Sequence, residues 1–129
     1  MAALVIVLLL LILPAYALSR LAGTIDPWIL ASVPLAVSAL AYALQRNDKA
    51  RATAGAWRIP EATLHLCEFL GGWPGSLLAQ RQVRHKVAKS SYQIVFWAIV
   101  LLHQFLALDS LLGWRWMTQA AAFLRAELG

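Results

Sequence analysis

Residues 27–45 read PWILASVPLAVSALAYALQ, nineteen positions without an Asp, Glu, Lys or Arg. As an α-helix such a run covers about 28 Å, close to the thickness of a bilayer's hydrocarbon core. Residues 1–19 and 90–108 are two more windows of the same length that also lack charge. Eight of the eleven cationic side chains (Arg46, Lys49, Arg51, Arg58, Arg81, Arg84, Lys86 and Lys89) lie between the second and third windows. The chain therefore reads as a small membrane protein with one sizeable polar stretch, and that stretch is basic.

Composition agrees. Hydrophobic residues make up 61% and charged residues 13%, against roughly 45–50% and about 25% in soluble domains. The 129 residues suffice for a single domain over 1–129, and three spans leave little chain for a separate soluble core. The expected fold class is an all-α integral membrane protein with transmembrane helices near 2–18, 27–44 and 92–112. The net charge of +5 sits beside the spans, which marks residues 45–91 as cytoplasmic and the tail after 113 as external. With one cysteine, Cys67, an internal disulfide is excluded.

Residues 2–13, with Pro14 and Ala15-Tyr16-Ala17 behind them, imitate a secretory signal, but no Lys or Arg precedes the apolar run. A retained first helix is the expectation. Pro27 suits the first turn of the second helix. In the last span Tyr92, Phe96 and Trp97 at one end, with Trp114 and Trp116 past the other, read as interfacial aromatic belts. His103 and Gln104 fall near mid-membrane, where interhelical hydrogen bonds to Ser32 or Ser38 are expected. Residues 114–128 carry Met117, Ala121, Leu124 and Leu128 at helical spacing, the pattern of a helix lying on the membrane surface.

Residues 60–88 are expected to form a helical hairpin on the cytoplasmic side, re-entrant or interfacial. Pro60 and Glu61 open the first arm, Gly71-Gly72 closes it, and Trp73-Pro74-Gly75 turns the chain into a second arm over about 74–88. Eleven residues per arm reach about 16 Å, too short to cross. At 100° per residue Glu61, His65 and Glu68 share one face of the first arm. Arg81, His85 and Lys89 share a stripe on the second, while Leu77, Val83 and Val87 lie elsewhere. Paired neutralisation of these faces is the plainest expectation.

Sharper readings use the same residues. Arg84, His85, Lys86 and Lys89 form a candidate site for a phosphate or an anionic lipid head group. Glu61, His65 and His85 are candidate acid–base groups, with Glu61 or Glu68 orienting a histidine. Cys67 lies about 200° around the helix from His65, so no local thiol–imidazole pair forms. The Glu/His spacing matches no strong metal motif, so neither metal nor cofactor is expected.

Between 42 and 92 the sequence carries Tyr42, Asp48-Lys49, Ala52, Arg58-Ile59-Pro60-Glu61, Leu64, Gly71-Gly72, Gly75 and Arg84-His85-Lys86 with Lys89. In this order these pieces resemble the bacterial membrane-domain family catalogued as domain of unknown function 1294. The resemblance implies a topology and a set of polar positions, with Asp48, Lys49, Arg58 and Glu61 as a polar framework, but no established activity. Two functional expectations follow. One is an accessory or binding module whose basic stretch meets anionic lipid or an acidic partner. The other is a small membrane enzyme acting on a lipid-linked or phosphorylated substrate. A membrane-protein partner or a second copy of the chain is compatible with both. Nucleic acid is not an expected partner, because no aromatic-rich β pattern is present.

Overall fold

The computed structural model describes residues 1–86 and 89–129, and its elements there are all helical. In order they are α1 (Ala2–Ser19), α2 (Pro27–Ala54), α3 (Glu61–Cys67), a π-helical turn (Glu68–Gly72), α4 (Trp73–Val83), α5 (Ser90–Leu111) and α6 (Arg115–Leu128). Helices α1, α2 and α5 are each long and apolar enough to cross a membrane. Leu8, Leu9, Ile12 and Leu101 point outward and stay exposed, as lipid-facing side chains do.

Helix α2 begins where Asp26 accepts the Trp28 amide at 2.9 Å, with Pro27 in the first turn. It does not stop near Leu44. It continues to Ala54 and ends at Gly55, whose φ of 69° provides the left-handed cap. Hydropathy ends at Leu44, but residues 45–54 contain no Gly or Pro and include three alanines, so helix propensity carries on. The ten added residues extend about 15 Å beyond the apolar window, and Gln45 and Asp48 sit on that extension.

The α3–α4 segment is positioned along α2. The Ile59 amide donates to Asp48 at 2.8 Å. The Ser38 hydroxyl donates to the Gly71 carbonyl at 3.3 Å. The chain then returns, with Gln82 meeting Tyr42 and His85 reaching Asp48. Contacts thus run along α2 from Asp48 to Ser38 and back to Asp48. Gly71, at φ 111°, makes the reversal, and Gly75 lets α4 lie directly on α2. A Cβ at Gly75 would overlap the Ser38 carbonyl oxygen and lie 2.7 Å from its carbon. Because these are backbone atoms, Gly75→Ala must push the two helices apart. A loss of about 1–3 kcal/mol is expected, read as a lower unfolding midpoint in detergent. Gly23→Ala, with nothing within 4 Å of its Cβ, should leave the midpoint unchanged. Equal midpoints for the two variants would refute this close approach.

The second arm is shorter than its expected end at 88. Helix α4 closes at Val83, where Arg84 adopts a left-handed conformation (φ 49°), and the His85 amide donates to the Gln80 carbonyl at 3.0 Å. That turn swings His85 onto Asp48. Val87, expected on the apolar side of this arm, and Ala88 lie outside the described residues.

Around this frame Val7, Leu64, Trp73, Leu77, Tyr92, Phe96 and Val100 pack into the core. Tyr92 and Phe96 are therefore core residues rather than members of an interfacial belt. The mid-membrane polar contacts also differ from those expected with Ser32 or Ser38. Pro14 has no N–H for the Leu10 carbonyl, and Gln104 from α5 supplies the missing donor at 2.6 Å. His103 bonds the Ile99 carbonyl of its own helix at 2.8 Å. At the far end of α5 the buried Asp109 accepts the Trp116 and Met117 amides at 2.8 and 3.0 Å. This carboxylate caps α6 and holds it against α5.

Candidate functional site

Two buried carboxylates organise the polar interior. Glu68 is the first residue of the π turn and is fully buried. Four side chains from four elements converge on it. His65 Nδ1 lies 2.6 Å from Oε1. At Oε2 the donors are the Ser76 hydroxyl, the Tyr92 hydroxyl at 2.6 Å and Gln45 Nε2 at 3.3 Å. The donors are themselves oriented: Ser76 Oγ accepts from Gln45 and Gln80, both at 2.9 Å. Gln93 in turn donates to Gln80 at 2.8 Å, and the His65 ring stacks on Tyr92 with centroids 4.2 Å apart. Such a network is a sink for donor hydrogens in a low-dielectric interior, where each unmet partner would be costly.

The second carboxylate, Asp48, is also fully buried. Oδ1 accepts the Ile59 amide, and Oδ2 accepts Arg58 Nη2 at 3.1 Å and His85 Nε2 at 2.6 Å, with Lys86 Nζ at 3.6 Å. Lys86 also reaches Glu61 at 3.0 Å, and Lys89 bonds the same carboxylate oxygen. Lys89 and then Lys86, by hydrogen bonds and charge, hold the Glu61 pKa down at about 2. Burial pushes His85 below its ordinary value. The Asp48 carboxylate opposes that shift, while Lys86 and Arg58 reinforce it. Burial, with Glu68 alongside, pushes the Cys67 thiol up, which makes it a poor nucleophile.

Glu61, His65 and His85 do not converge. Glu61 serves Lys86 and Lys89, His65 serves Glu68, and His85 serves Asp48. Of the expected anion-contacting group, His85, Lys86 and Lys89 are engaged with the protein's own carboxylates, and the Lys86 side chain is only 5% exposed. Arg84 remains exposed. In the expected framework Asp48, Arg58 and Glu61 belong to one connected cluster, whereas Lys49 is half-buried and makes no ion pair among the described residues. Glu61 finds its partners beyond the end of α4, not on α4 itself.

Sequence reasoning passed over Gln45, Ser76, Gln80 and Gln93, and read Tyr92 as interfacial. A signal did exist: Gln45 and Asp48 at i,i+3 and Ser76 and Gln80 at i,i+4 each place two polar groups on one helix face. A cavity of about 450 Å³ opens between α1 and α2 and touches neither carboxylate cluster. Among the described residues no three His, Cys, Asp or Glu side chains form a metal-ligating group.

Residues 38–92 match the model of a family described as protein of unknown function, DUF1294. The resemblance read from residues 42–92 is thereby confirmed over that stretch, and it takes in Gln45, Asp48, Glu61, His65, Glu68, Ser76, Gln80, His85, Lys86 and Tyr92. Neither the curated proteins nor the solved structures contain a match.

Proposed function

We propose that this chain, with its DUF1294 segment, is a small non-enzymatic membrane module whose basic end holds anionic lipid head groups. In this reading the apolar windows of α1, α2 and α5 span the inner membrane of a bacterium. The end built from residues 45–91 is cytoplasmic, and α6 lies on the outer surface with Phe123, Leu124 and Leu128 toward the acyl chains. The observation that carries the reading is the division of charge at the basic end. Asp48 and Glu68 are fully buried, and Glu61, about a third exposed at 35%, is paired with Lys86 and Lys89, while Arg46, Arg51, Arg81 and Arg84 remain exposed. The anion-contacting role thus moves from the Arg84–Lys89 group to Arg84 and the other exposed arginines, and the buried polar residues act as the scaffold that presents them.

A second reading, acid–base chemistry on a phosphorylated or lipid-linked substrate, has one observation in its favour: the 2.6 Å contact between His65 and Glu68. Neither His65 nor His85 lines the cavity between α1 and α2, which favours the module.

The test has two arms. On a Cys67→Ser background, a cysteine at position 129 should react with an impermeant reagent in intact cells, and one at position 52 only after permeabilisation. In nanodiscs, Arg81→Gln with Arg84→Gln should reduce retention of phosphatidylglycerol about 10- to 30-fold at low salt, from roughly 1 kcal/mol per arginine. Lys86→Gln should change retention little and stability more. Equal retention of anionic and zwitterionic lipid by the parent protein would overturn the proposal, as would reversed labelling.

A further inference from the structure

Helices α1 and α2 follow one another in the chain, yet they barely touch. α1 packs on α4 and α5, and α2 packs on α4 and the π turn, so the reversal at Gly71–Gly75 stands between them as a wedge. Above the wedge a cavity of about 450 Å³ is left. Its walls are Leu11 and Leu18 of α1 and Val33 and Leu35 of α2, and its floor includes Leu70 and Pro74.

Val33 and Leu70 stay exposed along it, so the cleft is open to whatever surrounds the helices, and its apolar walls favour an apolar occupant. Water suits it poorly, because the lining is mostly aliphatic. Ser38 already donates to Gly71 O at 3.3 Å, and His103 Nδ1 lies 2.8 Å from Ile99 O. With Nδ1–H given to that carbonyl, the His103 ring and the Trp73 indole N–H offer one acceptor and one donor, too few for the roughly fifteen waters such a volume would hold at two to four partners each. A partner helix does not suit it either. One helical turn with side chains, about 10–12 Å wide and 5.4 Å tall, already fills about 420–610 Å³. A hydrocarbon chain suits it well. The wall from Leu11 to Leu18 is about 10 Å tall, and both walls belong to the charge-free windows 1–19 and 27–45, at the depth where lipid chains lie.

We propose that the cleft between α1 and α2 binds the acyl chain of a bilayer phospholipid, which enters sideways and ends against Leu70 and Pro74. This site is separate from the basic end and does not depend on it. The test uses the full chain in phosphatidylcholine vesicles whose lipid carries a photoreactive diazirine at the end of one acyl chain. After irradiation, labels should concentrate on the cleft residues Leu11, Leu18, Val33, Leu70 and Pro74, at least fivefold above the outward-facing Leu9 and Leu101. Val33→Trp, which fills the mouth from a half-exposed position, should lower that labelling at least fivefold and leave Leu101 unchanged. Even labelling of the cleft and of Leu9 and Leu101 in the parent protein means surrounding lipid only, and overturns the proposal whether or not the variant folds. Undiminished cleft labelling in a folded Val33→Trp protein overturns it as well.

Discussion

Glu68→Ala should cost about 3–5 kcal/mol of stability, the penalty for breaking a buried charged network by removing one partner. The carboxylate receives His65, Ser76, Tyr92 and Gln45, and its loss leaves their polar atoms facing a dry interior. Ser76 and Gln45 keep the bond between them, but each loses its charged acceptor. Glu68→Gln keeps the shape but turns one acceptor oxygen into an NH₂ that points at donors, so it too should destabilise, by less than the alanine variant. The measurement is the unfolding midpoint in mixed detergent and denaturant. A double-mutant cycle with Tyr92→Phe adds a sharper check: if both side chains belong to one network, their effects should be non-additive by about 0.5–3 kcal/mol. Simple additivity, or a Glu68→Ala protein within 1 kcal/mol of the parent, would show that the cluster does not hold the α3–α4 segment to α2 and α5.

Asp48→Ala should have an effect of similar size, about 3–5 kcal/mol, through a different group of partners. The carboxylate ties the Ile59 amide, Arg58 and His85 to one point on α2, and its removal leaves His85 and Lys86 buried with fewer acceptors. Asp48→Asn should fall between, since its amide oxygen can still take the Ile59 N–H. The neighbouring groups add a pH dependence of definite sign. Glu61 titrates at about 2 when folded, against an ordinary 4.5. The unfolded chain therefore binds more protons between those values, and the Glu61 contribution is complete above about 4.5 and lost as pH falls toward 2. His85 is also held below its ordinary value, 6.5, by burial. Its contribution is complete above 6.5 and declines as the pH drops below it. Both act in the same direction, so the unfolding midpoint should decline on acidification from pH 7, first below about 6.5 and again below about 4.5. Lys89→Ala should weaken the second decline. A midpoint that rises on acidification would contradict the assignment.

Charge-free runs long enough to cross a membrane are a local property, and the spans α1, α2 and α5 could be read directly because transfer into hydrocarbon is decided residue by residue. The special backbone positions at Gly71, Gly72 and Gly75 were legible for a similar reason: positive φ and close backbone approach are permitted by few other residues. The end of α2 was misread because apolarity stops at Leu44 while helix propensity does not. That single difference hid Gln45 and Asp48 as members of a helix face. The site itself depended on the tertiary structure. Asp48 meets His85 across 37 positions and Gln45 meets Tyr92 across 47, and no periodicity within one helix specifies such pairings. Nor could charge alone show which cations face outward. Lys86 has the same composition signal as Arg81 and Arg84, but the left-handed turn at Arg84 carries it to Glu61 and Asp48, where its side chain is 5% exposed. Burial of a charge is favourable only beside a partner, and the partner's position is set by packing, which the linear sequence does not display.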